Sequence, residues 1–214
     1  YSNPGINTLG RIVEIVSGQK FADFLATRIF QPLGMSETTF WPTGSQARRV
    51  AKAYQPGPGN QGLAEVDNYF LKGLPLTARW RTAIPAGGLY STAGDIAKFY
   101  QMMLNGGVAN GKRLLSPAAH QQLTTTQTGD IKTGFTEGMS WGFGFQVVKQ
   151  PVGVTAMLSP GTYGHGGAYG TQSWADPKTG TVYILMIQRA KMQNGDGSDI
   201  RKAFQETARA TWVK

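Results

Sequence analysis

The chain has 214 residues with no cysteine, 40% apolar and 15% charged residues, and a formal net charge of +9. Such a length and composition suit one globular domain with a sizeable core rather than a disordered chain, and the lack of cysteine excludes disulfides, a thiol nucleophile and cysteine-bound zinc. The basic residues fall into short groups (Arg48-Arg49 with Lys52, Arg79 with Arg81, Lys112-Arg113) without zinc-finger spacing or an aromatic RNA-binding motif, so the charge reads as a solvated surface, with no nucleic-acid partner and no run near the ~20 apolar residues of a membrane span.

In chain order, Ile6, Leu9, Val13 and Val16 recur at helical spacing, with Pro4 near the start, and predict a first helix. Phe21, Phe24, Leu25 and Ile29 predict a second, ending before Pro32. Residues 41–83 are rich in Pro, Gly, Asn and Gln and read as long loops with one short helix. Thr92-Ala93-Gly94-Asp95 resembles a capping box ahead of Ile96, Phe99 and Met103, and Gly106-Gly107 stops that helix. Ser116-Pro117 opens another short helix, to about Thr125. After a Gly- and Thr-rich link, residues 141–148 alternate aromatic with small or polar residues, as a half-buried strand does. The segments around His165 and Trp174 and the apolar run 182–188 continue an antiparallel meander. Ser198-Asp199 then caps a last helix carrying Ile200, Phe204, Ala208 and Trp212. No internal repeat is present.

Four blocks stand out along this frame: Tyr1-Ser2-Asn3, Pro32-Leu33-Gly34-Met35, Gly87-Gly88-Leu89-Tyr90-Ser91-Thr92, and Gly164-His165-Gly166-Gly167-Ala168-Tyr169-Gly170. The first suits a loop that points a phenol and an amide into one cleft. The last holds one of only two histidines on a glycine-rich strand opening a hairpin, where a substrate backbone can approach closely and where histidine offers a charge that changes near neutral pH. In this order, almost from end to end, the blocks resemble the β-lactamase-related serine hydrolases: class C β-lactamases, D-Ala-D-Ala carboxypeptidases, D-aminopeptidases and β-lactamase-like esterases.

The resemblance implies an α/β fold: an antiparallel sheet flanked by helices, plus a helical lobe. About residues 1–137 would form the lobe, and about 138–214 three strands and the C-terminal helix. The family's nucleophile sits in a Ser-x-x-Lys motif well before Tyr-x-Asn. Tyr-x-Asn is residue 1 here, so the chain is expected to be the C-terminal part of a longer domain, without the first strands and the nucleophile helix. An open strand edge and an uncovered apolar face should follow. They call for a partner: the protein's own N-terminal segment or a second copy. Ser17-Gly18-Gln19-Lys20 also matches Ser-x-x-Lys. Catalysis needs serine and lysine one turn apart on a single helix, and Gly18 falls where one helix ends and the next begins, so this match is read as fortuitous.

The resemblance also assigns roles. Tyr1 would be the general base or proton relay, which a phenol of pKa about 10 can serve only beside cations, the family's lysine and His165. Asn3 would hold the substrate amide and that lysine. His165 would polarise Tyr1 or grip a substrate carboxylate, and the Ala168 N–H would be one oxyanion donor. Gly166, Gly167 and Tyr169 would contact substrate, the two glycines leaving the edge free of side chains. The implied activity is acyl transfer or hydrolysis of a small-molecule or peptide substrate, a β-lactam, a D-amino-acid peptide or an ester, through a serine acyl-enzyme. Histidine in place of lysine resembles the peptidase and esterase branches, and a periplasmic or secreted location goes with the family. No cofactor is implied: His120 and His165 lack a His-Glu-x-x-His or carboxylate cluster, and there is no phosphate loop. The alternative class is a catalytically dead relative that binds peptides or serves as a scaffold.

Overall fold

The structure, a computed structural model, describes residues 1–68, 71, 73–133, 136–192 and 194–212. Tyr69, Phe70 and Lys72 of the predicted loop region, and Gly134 and Phe135 of the predicted link, lie outside the described residues. The chain divides into two compact units, Tyr1–Lys98 and Phe99–Lys214.

In the first unit, α1 (Asn3–Ser17) starts at Ser2, whose hydroxyl accepts the Gly5 N–H, and Pro4 in the first turn removes no helical bond. It ends at Gly18, left-handed at φ 68°, whose N–H bonds the Glu14 carbonyl. The predicted apolar row is there, yet Leu9, Ile12, Ile15 and Val16 are all exposed. Next come α2 (Phe21–Leu25), a π-helical turn (Ala26–Phe30) and α3 (Gln31–Leu33). The prediction that helix stops before Pro32 is corrected here. The widened turn, in which the Gln31 N–H reaches the Ala26 carbonyl, relaxes the ladder where proline has no N–H to give.

Within the stretch read as loops, α4 (Gly44–Ala47) is the expected short helix, closed by a reciprocal Thr43–Gln46 cap. The antiparallel hairpin of β1 (Ala53–Pro56) and β2 (Leu63–Val66) was not expected. Its strands carry little apolar alternation, and a surface Lys52–Glu65 pair at 2.7 Å accompanies the ladder. α5 (Ala93–Leu104) begins with the Thr92 hydroxyl accepting the Asp95 N–H, as predicted. Asp95 does not return the capping bond. Its carboxylate accepts the Glu37 N–H (2.8 Å), the Thr38 hydroxyl (2.9 Å) and Lys98 Nζ (2.9 Å). Burial would raise this carboxyl, and these bonds outweigh burial and hold it below its ordinary range.

The second unit opens with the two-residue strands β3 (Val108–Ala109) and β4 (Lys112–Arg113), followed by α6 (Pro117–Thr124), capped by Ser116 as predicted. Its sheet has five strands in consecutive antiparallel order: β5 (Met139–Trp141), β6 (Gln146–Val148), β7 (Tyr163–Gly166), β8 (Gln172–Asp176) and β9 (Thr181–Leu185). The residue pattern predicts four strands, and the family resemblance implies three. The predicted strand 141–148 is in fact a hairpin, β5 and β6, closed by the Gly142 N–H bonding the Phe145 carbonyl at 2.8 Å. Gly142 makes the reversal possible because a Cβ there would come within 2.2 Å of the Leu123 carbonyl oxygen.

The last helix, α7 (Asp199–Trp212), is capped by Ser198, whose hydroxyl accepts the Arg201 N–H. Phe204 and Ala208 pack against a core of Met139, Val148, Leu158, Trp174 and Tyr183. Of the predicted apolar stripe, Ile200 and Trp212 face solvent, and Arg201 and Gln205 are buried instead. The Arg201 guanidinium lies 3.9 Å from the Trp174 ring centroid. Burial lowers its pKa to about 10, against the pull of Asp196. The alternation along β8 turns Ser173 to the other face, where the Tyr100 hydroxyl donates to the Ser173 carbonyl at 2.8 Å. Burial lifts the Tyr100 phenol far above its usual range and pushes Tyr163 up to about 12.

Candidate active site

In the first unit the Tyr1 hydroxyl donates to Asn3 Oδ1 at 2.9 Å. The two side chains of Tyr-x-Asn therefore meet, Tyr1 at the chain's first residue and Asn3 on the first turn of α1. Partial burial raises the Tyr1 phenol above its ordinary value. Desolvation penalises the phenolate, so Tyr1 becomes a base only where a cation offsets that penalty. Ser17 ends α1, and Lys20 flanks the start of α2 beyond left-handed Gly18. The Ser17 hydroxyl accepts the Gln19 N–H at 3.2 Å. The helix break expected at the fortuitous Ser-x-x-Lys match is therefore present.

In the second unit His165 is half-buried on β7, opposite Ser173 of β8. The Trp141 ring stands edge-on to it at 5.3 Å. His165 Nδ1 lies at 2.5 Å from the Gly166 carbonyl oxygen. A carbonyl can only accept, so Nδ1 is the donor in this contact. After Gly166 the chain turns. The Gly167 N–H bonds the Thr171 carbonyl, and the Gly170 N–H bonds the Gly167 carbonyl, each at 2.8 Å. Ala168 takes the second position of this turn and is exposed. The turn's own hydrogen bonds do not use its N–H, as an oxyanion donor requires. Tyr169 is 7% exposed, and its carbonyl accepts the Arg189 N–H at 2.9 Å.

The glycines have a reason that sequence reading did not supply. A Cβ on Gly166 would lie 1.6 Å from Asp196 Oδ1, and one on Gly167 would lie 2.2 Å from Thr171 Oγ1. Gln146, Gln172, Ser173, Asp196 and Tyr100 are additional residues around this edge. Ser173 could have been placed by period-two alternation against His165. Tyr100 could have been placed by its four-residue spacing from Ile96. Asp196 sits in Asn194-Gly195-Asp196-Gly197, which as sequence signals only a turn. Among the described residues no group of three or more His, Asp or Glu side chains could hold a metal ion, and no helix is long and apolar enough to cross a membrane.

This fold is shared with EstCE1, described as a hydrolase with promiscuous acyltransferase activity, at TM-score 0.76 and 21% identity, over 96% of this chain and 54% of that one. The chain belongs to the beta-lactamase family, whose pattern it matches over residues 1–207. It is 34% identical over 173 residues to penicillin-binding protein 4 of Amycolatopsis lactamdurans, covering 80% of this chain and 42% of that protein. It is 29% identical over 198 residues to a putative D-alanyl-D-alanine carboxypeptidase of Escherichia coli K12, covering 88% and 44%. The chain thus spans less than half the length of these curated relatives. The resemblance and the mixed fold read from the sequence are both borne out.

Proposed function

We propose that the protein carrying this chain is a serine hydrolase that transfers or hydrolyses the acyl group of an ester or amide through a serine acyl-enzyme. The observation that carries this reading is the His165–Ala168 edge, which presents an imidazole and an N–H that the turn's own hydrogen bonds do not use. Membership of the family is what joins this edge and the Tyr1–Asn3 pair in one reaction. A serine Oγ attacks the carbonyl carbon and passes its proton to the Tyr1 phenolate. The charge that gathers on the carbonyl oxygen is accepted by the Ala168 N–H, a donor of a kind worth about 10²–10³ in rate. The intermediate then collapses, and the leaving alcohol or amine takes the proton back from Tyr1. Water repeats the sequence on the acyl-enzyme. As the family resemblance implies, Asn3 holds the substrate amide and Gly166, Gly167 and Tyr169 contact substrate. His165 and the family's lysine supply the cations that Tyr1 needs. The substrate is a β-lactam, a D-amino-acid peptide or a carboxylic ester, with the histidine favouring the latter two.

The nucleophile belongs to a Ser-x-x-Lys helix outside these 214 residues, so the isolated chain should be silent. Intact mass after exposure to a serine-reactive phosphonate should show one adduct on the full-length protein and none on the chain. An adduct mapped to Ser17 would reverse this assignment, and an unmodified full-length protein would favour a non-catalytic binding role.

The exposed Leu9, Ile12, Ile15 and Val16 of α1 would be covered by a further segment of the parent protein or by a second copy, and the relatives, more than twice as long as the part this chain matches, leave room for such a segment. Without that segment the chain should self-associate in light scattering. A monomer that melts in one cooperative step would count against it.

A further inference from the structure

The segment between β9 and α7 grips the turn that follows His165. Arg189 N–H bonds the Tyr169 carbonyl at 2.9 Å. Gln172, opposite Gly166 in the ladder, donates its amide to the Gly195 carbonyl (3.2 Å) and to Asp196 Oδ1 (3.1 Å). Its own Oε1 is held by Trp174 Nε1 at 2.7 Å. The other Asp196 oxygen accepts Gln146 Nε2 at 2.7 Å, and the residue is 8% exposed. With a Cβ on Gly166 only 1.6 Å from Asp196 Oδ1, the carboxylate occupies the very space a side chain at 166 would fill. Burying a carboxylate is costly, and an apolar group would fill this space without that cost. What the carboxylate adds is direction: two charge-assisted hydrogen bonds from different strands fix it where packing alone leaves slack.

We propose that Asp196 is a positioning residue for the acyl-transfer edge: docked against Gly166 by Gln146 and Gln172, it sets the peptide path from His165 to Ala168 and so the aim of the Ala168 N–H. This rests on the acyl-transfer reading of that edge. A misplacement of about 1 Å by a change remote from the chemistry costs about 10²-fold in rate.

The test uses full-length protein turning over a nitrophenyl ester, with rates taken per phosphonate-titrated serine so that misfolded molecules do not count. Asp196→Ala should lower kcat by about 10²-fold with KM little changed. Asp196→Asn should stay near the parent. The Gln146 amide can rotate so that Oε1, which has no hydrogen-bond partner among the described residues, accepts the new N–H. Its melting temperature should still fall, because buried Arg201 loses a compensating charge. Gly166→Ala should lose turnover, and Gly166→Ala with Asp196→Gly should regain part of it as the methyl takes the vacated place. Should Asp196→Ala fail to fold, the Asn variant and the double variant decide. Parental kcat in Asp196→Ala, or a double variant no better than Gly166→Ala, would overturn the proposal. If His165→Ala is impaired in the same assay, only the positioning role falls. If His165→Ala turns over normally, the assignment of the His165–Ala168 edge to the acyl-transfer site falls and takes this proposal with it.

Discussion

Tyr1→Phe in the full-length protein is expected to lower turnover of an activated ester by about 10²–10⁴-fold, the usual contribution of a general acid–base group. The substitution keeps the ring and removes the hydroxyl that donates to Asn3 Oδ1. Tyr1 is 52% exposed, so losing the hydroxyl's bond to Asn3 should move the melting temperature little. A tyrosine with a packing role would show the reverse pattern, lower stability with the per-molecule rate intact. The sign of the phenol's perturbation sharpens the expectation. Burial raises it, so the phenolate exists only while a cation stands beside it, and activity should fall as pH drops through the value that cation imposes. Steady-state kinetics on folded Tyr1→Phe protein decide the matter, and turnover within about threefold of the parent would remove Tyr1 from the mechanism.

Trp174→Ala should cost about 3–5 kcal/mol, a large share of the roughly 5–15 kcal/mol that holds a domain together. Trp174 has no solvent exposure, and three separate interactions meet on it. It fills the core beneath Phe204 and Ala208, its ring faces the Arg201 guanidinium, and its indole N–H holds Gln172. Truncation opens a cavity, uncovers a buried cation and frees the amide that docks Asp196. Trp174→Phe keeps most of the volume and a ring for Arg201 while losing the N–H, and should fall between the two. Urea denaturation followed by far-ultraviolet circular dichroism measures all three proteins. Equal midpoints for the alanine variant and the parent would mean that α7 does not rest on this tryptophan.

How much of this was readable from residues alone depends on the range of the interaction. The helix caps at Thr92 and Ser198 and the helix start at Ser116 are local, and each appears where the sequence puts it. The four motif blocks carry family membership because their order along the chain is itself information. The reversal at Gly142 escapes notice because Trp141-Gly142-Phe143-Gly144-Phe145 keeps the period of a strand, and the Leu123 carbonyl that leaves no room for a side chain at 142 lies elsewhere in the sequence. Arg201 and Gln205 read as outward-facing because polarity is taken for exposure. They are inside because the Asp196 carbonyl accepts Arg201, whose Nε bonds Gln205. The His-Gly-Gly edge is legible as a motif, but the carboxylate behind Gly166 is thirty residues away in sequence and leaves no mark on it.

The consecutive order of β5 to β9 bears on how this part of the molecule assembles. Each strand pairs with the next one along the chain, and three of the four connections are short turns. Closing a short loop costs little chain entropy, and folds rich in near-neighbour contacts form faster than those that must bring distant segments together. The sheet can therefore zip from any of its hairpins, using only residues that leave the ribosome within moments of one another. Nothing synthesised earlier has to be threaded between its strands. The two outer strands, β5 and β9, are left as the places where any other strand could still be added.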